Sequence, residues 1–301
     1  MMKAACFRRF GGPEVLELVD LPDPHPGPGE VRIAVRAAGV NASDWKKRAG
    51  LMDRELPQTL GYEAAGVVDE LGEGVRDAAV GDRVLGFCAD GAAQAESAVL
   101  SSYAPVPPSL DLAVAAALPA AVETAVRALD RLGVGGGATL LVNGASGNVG
   151  SAAVQFAVAR GARVIGTAGP ANHAAVRAWG AEPLAYGDGL VERVRALAPG
   201  GVDLALDVAG SGVLPELVEL AGGPGHVLTV ADAAGAREHG VVFSRGDSGR
   251  ALHALDGIGA MVAAGAFTPP PVRTFPLAAI ADAHRAGEEG GTRGKIVLVV
   301  D

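Results

Sequence analysis

The residues with the clearest chemical potential form a run of small side chains between an apolar stretch and a helical pattern. In residues 143–150, Ala145, Gly147 and Gly150 occupy the three small-residue positions of a G-x-G-x-x-G turn. Small residues there permit a tight turn, let the backbone approach a pyrophosphate and let the helix pack on its strand. The free amides at the start of that helix face the phosphate charge. The sequence therefore predicts a dinucleotide site with contacts from Ala145, Ser146, Gly147, Asn148, Val149 and Gly150.

A second feature distinguishes between the two nicotinamide dinucleotides. An NAD site usually has an acidic residue about 20 residues after the glycine turn, where it binds the adenosine ribose. Here the second predicted strand ends at Thr167 and continues into Gly169, with no acidic residue before Glu182. No carboxylate repels a 2′-phosphate, and His173 and Arg177 are placed to supply donors to it. We therefore predict NADPH rather than NADH, with Thr167, Gly169 and His173 at the adenosine end.

Strands and helices alternate around these residues, from residue 113 to residue 243. The predicted strands are 138–143, 162–167, 203–208 and 226–230, and the helix after the glycine turn is predicted at 148–160. This alternation predicts an α/β fold with a doubly wound parallel sheet, a Rossmann domain.

The two segments that flank residues 113–243 have a different pattern of predicted secondary structure. Residues 1–112 form short predicted strands, such as 31–36, separated by Gly and Pro turns, which indicates a β-rich, partly open barrel. Residues 244–301 contain a predicted helix at about 250–264, another at about 278–287 and the apolar strand 295–300. A strand this apolar must be covered, so we expect it to rejoin a sheet.

Composition limits the classes of protein that the chain can belong to. The 301 residues suggest about two domains, and 49% hydrophobic with 20% charged residues indicates a globular chain. A net charge of −9 disfavours nucleic acid or an anionic membrane as the main partner. Cys6 and Cys88 are too few for a disulfide framework or a four-cysteine zinc lobe. The first ten residues lack the apolar core of a signal peptide, so we expect a cytoplasmic protein.

Several spaced motifs resemble one family along essentially the full length of the chain. They are GVNASDWKKRAG at 39–50, GYEAAGVV at 61–68, GDRV at 81–84, AALP at 116–119 with Thr124, and RGKIV at 293–297. On these motifs the chain resembles the zinc-independent quinone oxidoreductase branch of the medium-chain dehydrogenase/reductase superfamily, especially its 2-alkenal (enone) reductase-like members. The resemblance implies a GroES-like catalytic domain, 1–112 with 244–301, and a Rossmann NADP-binding domain, 113–243.

The resemblance also implies roles for single residues. It implies that Asn41 lies beside the nicotinamide ribose and Thr124 beside the nicotinamide. It further implies that Tyr186 and Gly169 lie near the adenosine phosphate. The remaining implied cofactor contacts are Phe243 and Ser244 near the carboxamide, with Arg293 or Lys295 also near the cofactor.

The metal-ligand positions of the zinc-dependent relatives correspond to Asn41, Tyr62 and Ala120, none of them a usual zinc ligand in that setting. We therefore expect no metal, and hydride transfer to an acceptor that is already activated. Hydride addition to an enone develops charge on oxygen, so a nearby donor helps. Besides Asn41, Tyr62 and Lys46 are the candidates for that donor or for protonation.

The expected function is NADPH-dependent hydride transfer to a quinone or a conjugated carbonyl compound, by a homodimer that pairs at an exposed sheet edge. Two alternatives stay open. One is an enoyl-thioester reductase of fatty acid or polyketide metabolism, and the other is a catalytically idle NADPH-binding sensor or scaffold.

Overall fold

The computed structural model describes residues 1–88, 91–246, 249–290 and 294–300. By contact density the chain divides into two units. The terminal unit comprises Met1–Ala120 and Leu255–Asp301, and the central unit is Ala121–Ala254. The contacts divide the chain after residues 120 and 254, whereas the sequence predicts boundaries at 112/113 and 243/244. The pattern of residue types along the chain therefore changes before the contact partners change.

In the described part of the chain the strands are β1 Met2–Phe7, β2 Glu17–Leu21, β3 Val31–Gly39, β4 Gln58–Thr59, β5 Glu63–Leu71, β6 Arg83–Phe87, β7 Ser97–Leu100, β8 Ser102–Pro105, β9 Thr139–Asn143, β10 Arg163–Thr167, β11 Glu182–Leu184, β12 Leu204–Asp207, β13 Val227–Thr229, β14 Val242–Phe243, β15 Val272–Pro276 and β16 Lys295–Val299.

The helices are α1 Ala42–Arg48, α2 Leu112–Ala115, α3 Pro119–Leu132, α4 Asn148–Ala159, α5 His173–Ala178, α6 Leu190–Leu197, α7 Leu214–Leu220, α8 Ala233–His239, α9 Ile258–Ala263 and α10 Ile280–Glu288. Short 3₁₀ turns lie at Pro13–Val15, Pro170–Asn172, Pro224–His226, Leu252–Leu255 and Leu277–Ala279.

The central unit contains a parallel sheet with the strand order β11-β10-β9-β12-β13-β14. Counted along the chain from β9, this is the 3-2-1-4-5-6 order of a doubly wound Rossmann sheet. Leu141, Ile165 and Leu217 are fully buried in its core. The predicted Rossmann fold is confirmed, and the strand order reverses beside β9, where such folds bind dinucleotides.

The terminal unit is built mainly from antiparallel strands. One sheet has the order β15-β16-β3-β5-β6-β8, with β7 also paired to β3, and a second has the order β2-β1-β4. The predicted β-rich character of this part is confirmed. The apolar strand β16 pairs antiparallel with β3 and parallel with β15, so it rejoins a sheet as predicted.

One predicted helix is wrong as drawn. Instead of a continuous helix over 250–264, the chain has a 3₁₀ turn at Leu252–Leu255 and then α9, Ile258–Ala263. Gly257 separates them with a φ of 71°, a left-handed conformation that interrupts a right-handed helix. The alanine-rich composition around Gly257 concealed this break.

The most apolar helical stretch is Leu112–Leu132, which comprises α2, a turn and α3. Its length and mean hydropathy of 1.6 satisfy a simple criterion for a membrane span, but 78% of its 18-residue apolar window is buried inside the protein. The core helix of a soluble protein meets the same criterion.

Candidate functional site

The glycine turn connects β9 to α4 at the carboxyl edge of the parallel sheet, as predicted. Gly144 has a φ of +88°, a conformation that favours glycine. A Cβ on Gly150 would lie only 2.1 Å from the Gly144 carbonyl oxygen, so the helix approaches the turn closely. Gly147, by contrast, is exposed and caps α4. The turn thus has the cradle shape that a pyrophosphate requires, with the helix amides beside it.

The other predicted contacts of the turn support its shape. Ala145 is fully buried, and its N–H donates to Thr167 O at 2.9 Å. The Thr167 hydroxyl accepts the Gly144 N–H at 3.0 Å, which ties the turn to the end of β10. Ser146 accepts a hydrogen bond from Asn172 at 3.3 Å. Asn148 and Val149 are half-buried in the first turn of α4.

A buried carboxylate connects neighbouring strand ends, and sequence reasoning missed it. Asp207, fully buried at the end of β12, accepts from Asn143 Nδ2 at 2.9 Å and from Thr229 Oγ1 at 2.7 Å. It also accepts the N–H groups of Ala209 and Gly210, each at 3.0 Å. Thr167 donates to Asn143 at 2.7 Å and extends the network to β10. This network holds the carboxyl edge of the sheet in register below the glycine turn.

The residues predicted at the adenosine end lie together. Gly169 follows β10, and a Cβ placed on it would have the Tyr186 hydroxyl at 3.7 Å. His173 Nε2 lies 3.0 Å from Ala168 O, so one ring nitrogen is committed to the backbone. Tyr186 is 66% exposed, which leaves its ring available to a ligand.

Arg193 holds the loop that carries Tyr186, and the sequence pattern did not single it out. Its guanidinium donates to the carbonyl oxygens of Ala185, Gly187 and Asp188, at 3.0, 2.8 and 2.6 Å. Arg193 therefore fixes the backbone of the loop on which the exposed Tyr186 ring lies.

A buried ion pair on α3 supports the residues predicted near the nicotinamide. Arg127 Nε lies 2.7 Å from Glu123 Oε1, and both side chains are about 5% exposed. Thr124 is half-buried and contacts both, each at 3.4 Å. The Ser244 hydroxyl accepts from Arg127 at 2.5 Å, while Phe243 packs on the core of the central unit. Thr124 and Ser244 are therefore part of one polar network.

In the terminal unit, a second polar cluster forms where three strands meet. β3 runs antiparallel to both β5 and β16, so the end of β3 lies beside the first residues of the other two strands. Glu63 begins β5, Lys295 begins β16, and Asn41 follows β3. Gly39 leaves room for the carboxylate, since a Cβ there would lie 2.2 Å from Glu63 Oε1.

Short hydrogen bonds within this cluster join an ammonium group, an amide and a carboxylate. Lys295 Nζ donates to Glu63 Oε1 at 2.6 Å and also to Asn41 Oδ1. Asn41 Nδ2 donates to the same Glu63 oxygen at 2.8 Å. The second Glu63 oxygen accepts the Ala120 N–H at 2.7 Å. Lys295 is 1% exposed, so the side chain expected near the cofactor lies inside the protein with its amine in this cluster.

Asp44 extends the cluster along α1. Its carboxylate accepts the Asn41 N–H at 2.7 Å, which caps the helix, and a hydrogen bond from Gln94 at 3.3 Å. Burial raises the pKa of Asp44 to about 6, and the hydrogen bond from Asn41 and the charge of Lys295 limit the rise. Asp44 thus organises the start of α1.

The two predicted proton donors have different surroundings. The Tyr62 ring stacks on Phe87 with a centroid distance of 6.3 Å, and its hydroxyl lies 3.4 Å from Ser43 Oγ. Lys46, on the same helix as Asp44, is exposed. Tyr62 is therefore held in place, whereas Lys46 is a solvated side chain on α1.

The residues at the positions that correspond to metal ligands in zinc-dependent relatives make other contacts here. Asn41 and the Ala120 N–H both bind Glu63, and the Tyr62 ring stacks on Phe87. Within the described ranges, no group of three His, Cys, Asp or Glu side chains is arranged to hold a metal ion. Arg293, the remaining predicted cofactor contact, lies outside the described residues.

Comparison with known proteins gives matches along both units. A family model described as the alcohol dehydrogenase GroES-like domain matches residues 27–114, and one described as zinc-binding dehydrogenase matches 179–298. The chain is 36% identical, over 96% of its length, to the spectinabilin polyketide synthase system protein NorB of Streptomyces orinoci. It is 41% identical to rat quinone oxidoreductase over 56% of its length. These matches span only 14% and 53% of the respective relatives.

Two solved structures are similar over whole chains. The quinone oxidoreductase of Coxiella burnetii is 30% identical with a TM-score of 0.84, covering 100% of this chain and 99% of that one. A mycobacterial protein solved in complex with NADPH is 29% identical with a TM-score of 0.82, covering 99% of this chain and 100% of that one.

Proposed function

Because the chain belongs to the medium-chain dehydrogenase/reductase superfamily, in its quinone oxidoreductase-like branch, we propose that it is an NADPH-dependent oxidoreductase. In this proposal it transfers hydride to a quinone or to a conjugated carbonyl compound, without a metal ion. The observation that carries the proposal is the glycine turn at the strand-order reversal beside β9, with Gly169 rather than an acidic residue after β10.

The cofactor, when bound, supplies the hydride, and the residues of this chain bind and orient the reactants. The amides at the start of α4 and the backbone around Gly147 would hold the pyrophosphate. Gly169, Tyr186 and His173 would hold the adenosine end, and Thr124 with Ser244 the nicotinamide end. An oxygen that gains charge during hydride addition needs a donor, for which Asn41 and Tyr62 are better fixed than Lys46.

A second candidate function is favoured by one specific comparison. The polyketide synthase system protein is 36% identical over 96% of this chain, whereas the quinone oxidoreductase of Coxiella burnetii, which also matches the whole chain, is 30% identical. Reduction of an enoyl thioester uses the same hydride chemistry on a conjugated carbonyl. The two proposals therefore differ in the substrate rather than in the cofactor or the reaction type.

One activity panel tests these proposals. NADPH and NADH are each supplied with quinones, alkenals, enones and enoyl thioesters, and loss of the reduced cofactor is followed by absorbance. We expect steady NADPH consumption with quinones or enones. Preference for enoyl thioesters would favour the second candidate. Tight NADPH binding without turnover on any acceptor would identify a binding protein and contradict the enzymatic proposal.

We further propose a homodimer that works in a reducing, cytoplasmic environment. In the part of the chain that the structure describes, β14 is paired on one side only, by β13, and Val242 on it is 48% exposed. An open strand edge of this kind is a template for pairing between copies. Cys6 and Cys88 are both buried and are not joined in a disulfide.

A further inference from the structure

The side-chain amide of Asn41 is held by two partners of opposite charge. Its oxygen accepts from the Lys295 ammonium, and its nitrogen donates to Glu63 Oε1 at 2.8 Å. A flip of the amide would bring its N–H groups against the ammonium and its oxygen against the carboxylate. Both new contacts are repulsive, so the cluster permits one orientation.

This arrangement leaves one bond of the amide available. An asparagine nitrogen carries two N–H bonds, and among the described residues Glu63 is the acceptor for one of them. Asn41 is only half-buried, whereas Glu63 and Lys295 are 0% and 1% exposed. The two charges are therefore inside the protein, whereas the asparagine that they hold is partly accessible.

We propose that Glu63 and Lys295 are positioning residues for the reaction, because they fix the Asn41 amide so that its remaining N–H donates to an oxygen of the bound reactants. This inference rests on the proposed function and adds the residues that orient its donor. The acceptor is an oxygen of the nicotinamide ribose or the carbonyl oxygen of the substrate, which share the same chemistry. A fixed donor of this kind contributes to catalysis because its orientation does not have to be established during the reaction.

The Glu63 carboxylate is held by further contacts besides Lys295 and Asn41, which suits a positioning role. The Ala120 N–H holds the second Glu63 oxygen at 2.7 Å, and Gly39 leaves the space for the carboxylate. A buried ion pair contributes little net stability, and removal of both charges together is often nearly neutral. A variant without the pair is therefore expected to fold, which makes the proposal testable.

The test uses the small number of asparagines. The chain has four, Asn41, Asn143, Asn148 and Asn172, so selective ¹⁵N-asparagine labelling gives four side-chain NH₂ groups in an NMR spectrum. Absence of one signal pair in Asn41→Asp assigns Asn41. We expect one of its two protons to exchange slowly with water and the other rapidly. Two rapidly exchanging protons in the wild-type protein would overturn the proposal without any variant.

The perturbing variant is Glu63→Gln/Lys295→Met. A glutamine at position 63 offers both a donor and an acceptor, so it pairs with Asn41 in either orientation and no longer fixes it. We expect the Asn41 signals to lose their protected proton, while those of Asn143, which is bound to Asp207, stay unchanged. An unaltered Asn41 signal pair would overturn the proposal.

Ligand addition identifies the acceptor oxygen. A shift of the exposed Asn41 proton on addition of NADP⁺ alone assigns the acceptor to the cofactor. A shift only after a quinone is added to the NADP⁺ complex assigns it to the substrate. No shift with either addition contradicts the donor role.

Kinetics completes the test. We expect Glu63→Gln/Lys295→Met to lower kcat about 10- to 100-fold, with little change in KM and with the melting temperature retained. The matched control is Glu288→Gln, which alters another pair with a buried cation in the terminal unit, Arg48–Glu288 at 2.6 Å, and should leave kcat unchanged. An unchanged kcat in the double variant, in a wild-type enzyme that turns over, overturns the positioning role. An inactive wild-type protein would instead refute the proposed function, and the NMR result would still decide the orientation of Asn41.

Discussion

At the scale of single residues, cofactor preference depends on the residue type just after the end of β10. Gly169 has φ −64° and ψ 148°, which any residue can adopt, and a Cβ there would meet Tyr186 Oη at an ordinary 3.7 Å. Gly169→Asp is therefore expected to fold. The new carboxylate should repel a 2′-phosphate and accept from ribose hydroxyls, so it should reverse the preference for NADPH over NADH. Fluorescence titration with both cofactors measures this.

A second substitution at the predicted adenosine end of the site, His173→Ala, complements Gly169→Asp. We expect it to weaken NADPH binding and to leave NADH binding unchanged, since a donor to the phosphate is lost. A charge-assisted hydrogen bond contributes roughly 1.5 to 3 kcal/mol, so two such contacts to the 2′-phosphate, partly solvated, should give the wild-type protein a preference for NADPH of about tenfold to several hundredfold. Equal affinities of the wild-type protein for the two cofactors would contradict the phosphate-site assignment.

A buried histidine gives the folded terminal unit a pH dependence of its own. His284 is fully buried, its Nδ1 lies 3.0 Å from Arg48 Nη1, and the Trp45 ring packs edge-on against it. Burial, together with the Arg48 charge, lowers the pKa of His284 from 6.5 to about 3. Between these two values the unfolded chain binds a proton that the folded chain does not, so stability is lost as the pH falls below 6.5.

The variant His284→Gln isolates this effect, because glutamine can still accept from Arg48. Between pH 7 and 5 the wild-type protein should lose about 2 kcal/mol of unfolding free energy relative to the variant, as measured by denaturant titration. The raised pKa of Asp44 acts in the opposite sense in both proteins and cancels in the difference. Parallel stability curves would show that His284 titrates normally in the fold.

At the scale of elements, the glycine turn offers two substitutions with separable effects. A Cβ at position 150 would lie 2.1 Å from the Gly144 carbonyl oxygen, whereas one at position 147 would lie at an ordinary 3.4 Å. Gly150→Ala should therefore lower the free energy of unfolding by about 1 to 3 kcal/mol. Gly147→Ala should change stability little but weaken NADPH about tenfold, because its methyl group meets the pyrophosphate.

Calorimetric titration and denaturant unfolding of both variants give the two quantities. Equal loss of stability in the two variants would contradict the packing argument. Unchanged NADPH affinity in Gly147→Ala would place the pyrophosphate away from this turn.

Most elements could be predicted because the periodicity of apolar residues and the glycine turns between strands and helices are local features of the sequence. β9, α4, β10 and β16 lie within two residues of their predicted ends. The broken helix at Gly257 could not be read in the same way, since one glycine in an alanine-rich stretch does not specify a left-handed φ. Such a break depends on tertiary packing as well as on propensity.

The polar networks could not be predicted from the sequence, because they also depend on tertiary structure. Glu63 and Lys295 are 232 residues apart, and their contact arises only because β5 and β16 both flank β3. Asp207 and Arg193 lie in stretches without a recognisable motif, and their roles depend on which backbone groups surround them. Residue type suggested chemistry at Asn41 and Tyr62, but not which groups would hold them.

At the scale of the whole molecule, the open edge at β14 leads to a prediction about assembly. We expect light scattering at micromolar concentration to give twice the mass of one chain. Val242→Lys should shift the protein towards monomer, because a charged side chain at an edge strand opposes strand pairing. A wild-type protein of single-chain mass would contradict the proposed dimer.

The metal content of the whole protein provides the last prediction. The zinc-ligand positions bear an asparagine whose amide is bound by Lys295 and Glu63, a tyrosine stacked on Phe87, and Ala120, which has no ligand atom in its side chain. Stable zinc sites use Cys, His or carboxylate ligands in tetrahedral sets, and the chain has only two cysteines and six histidines in total. We expect elemental analysis of the purified protein to find no stoichiometric zinc, and activity to survive exhaustive chelation. The control is a zinc-dependent dehydrogenase, which should lose activity in the same chelator. One zinc ion per chain, with activity lost on its removal and restored by its return, would show that the acceptor is activated by a metal, and would contradict the mechanism proposed around Asn41.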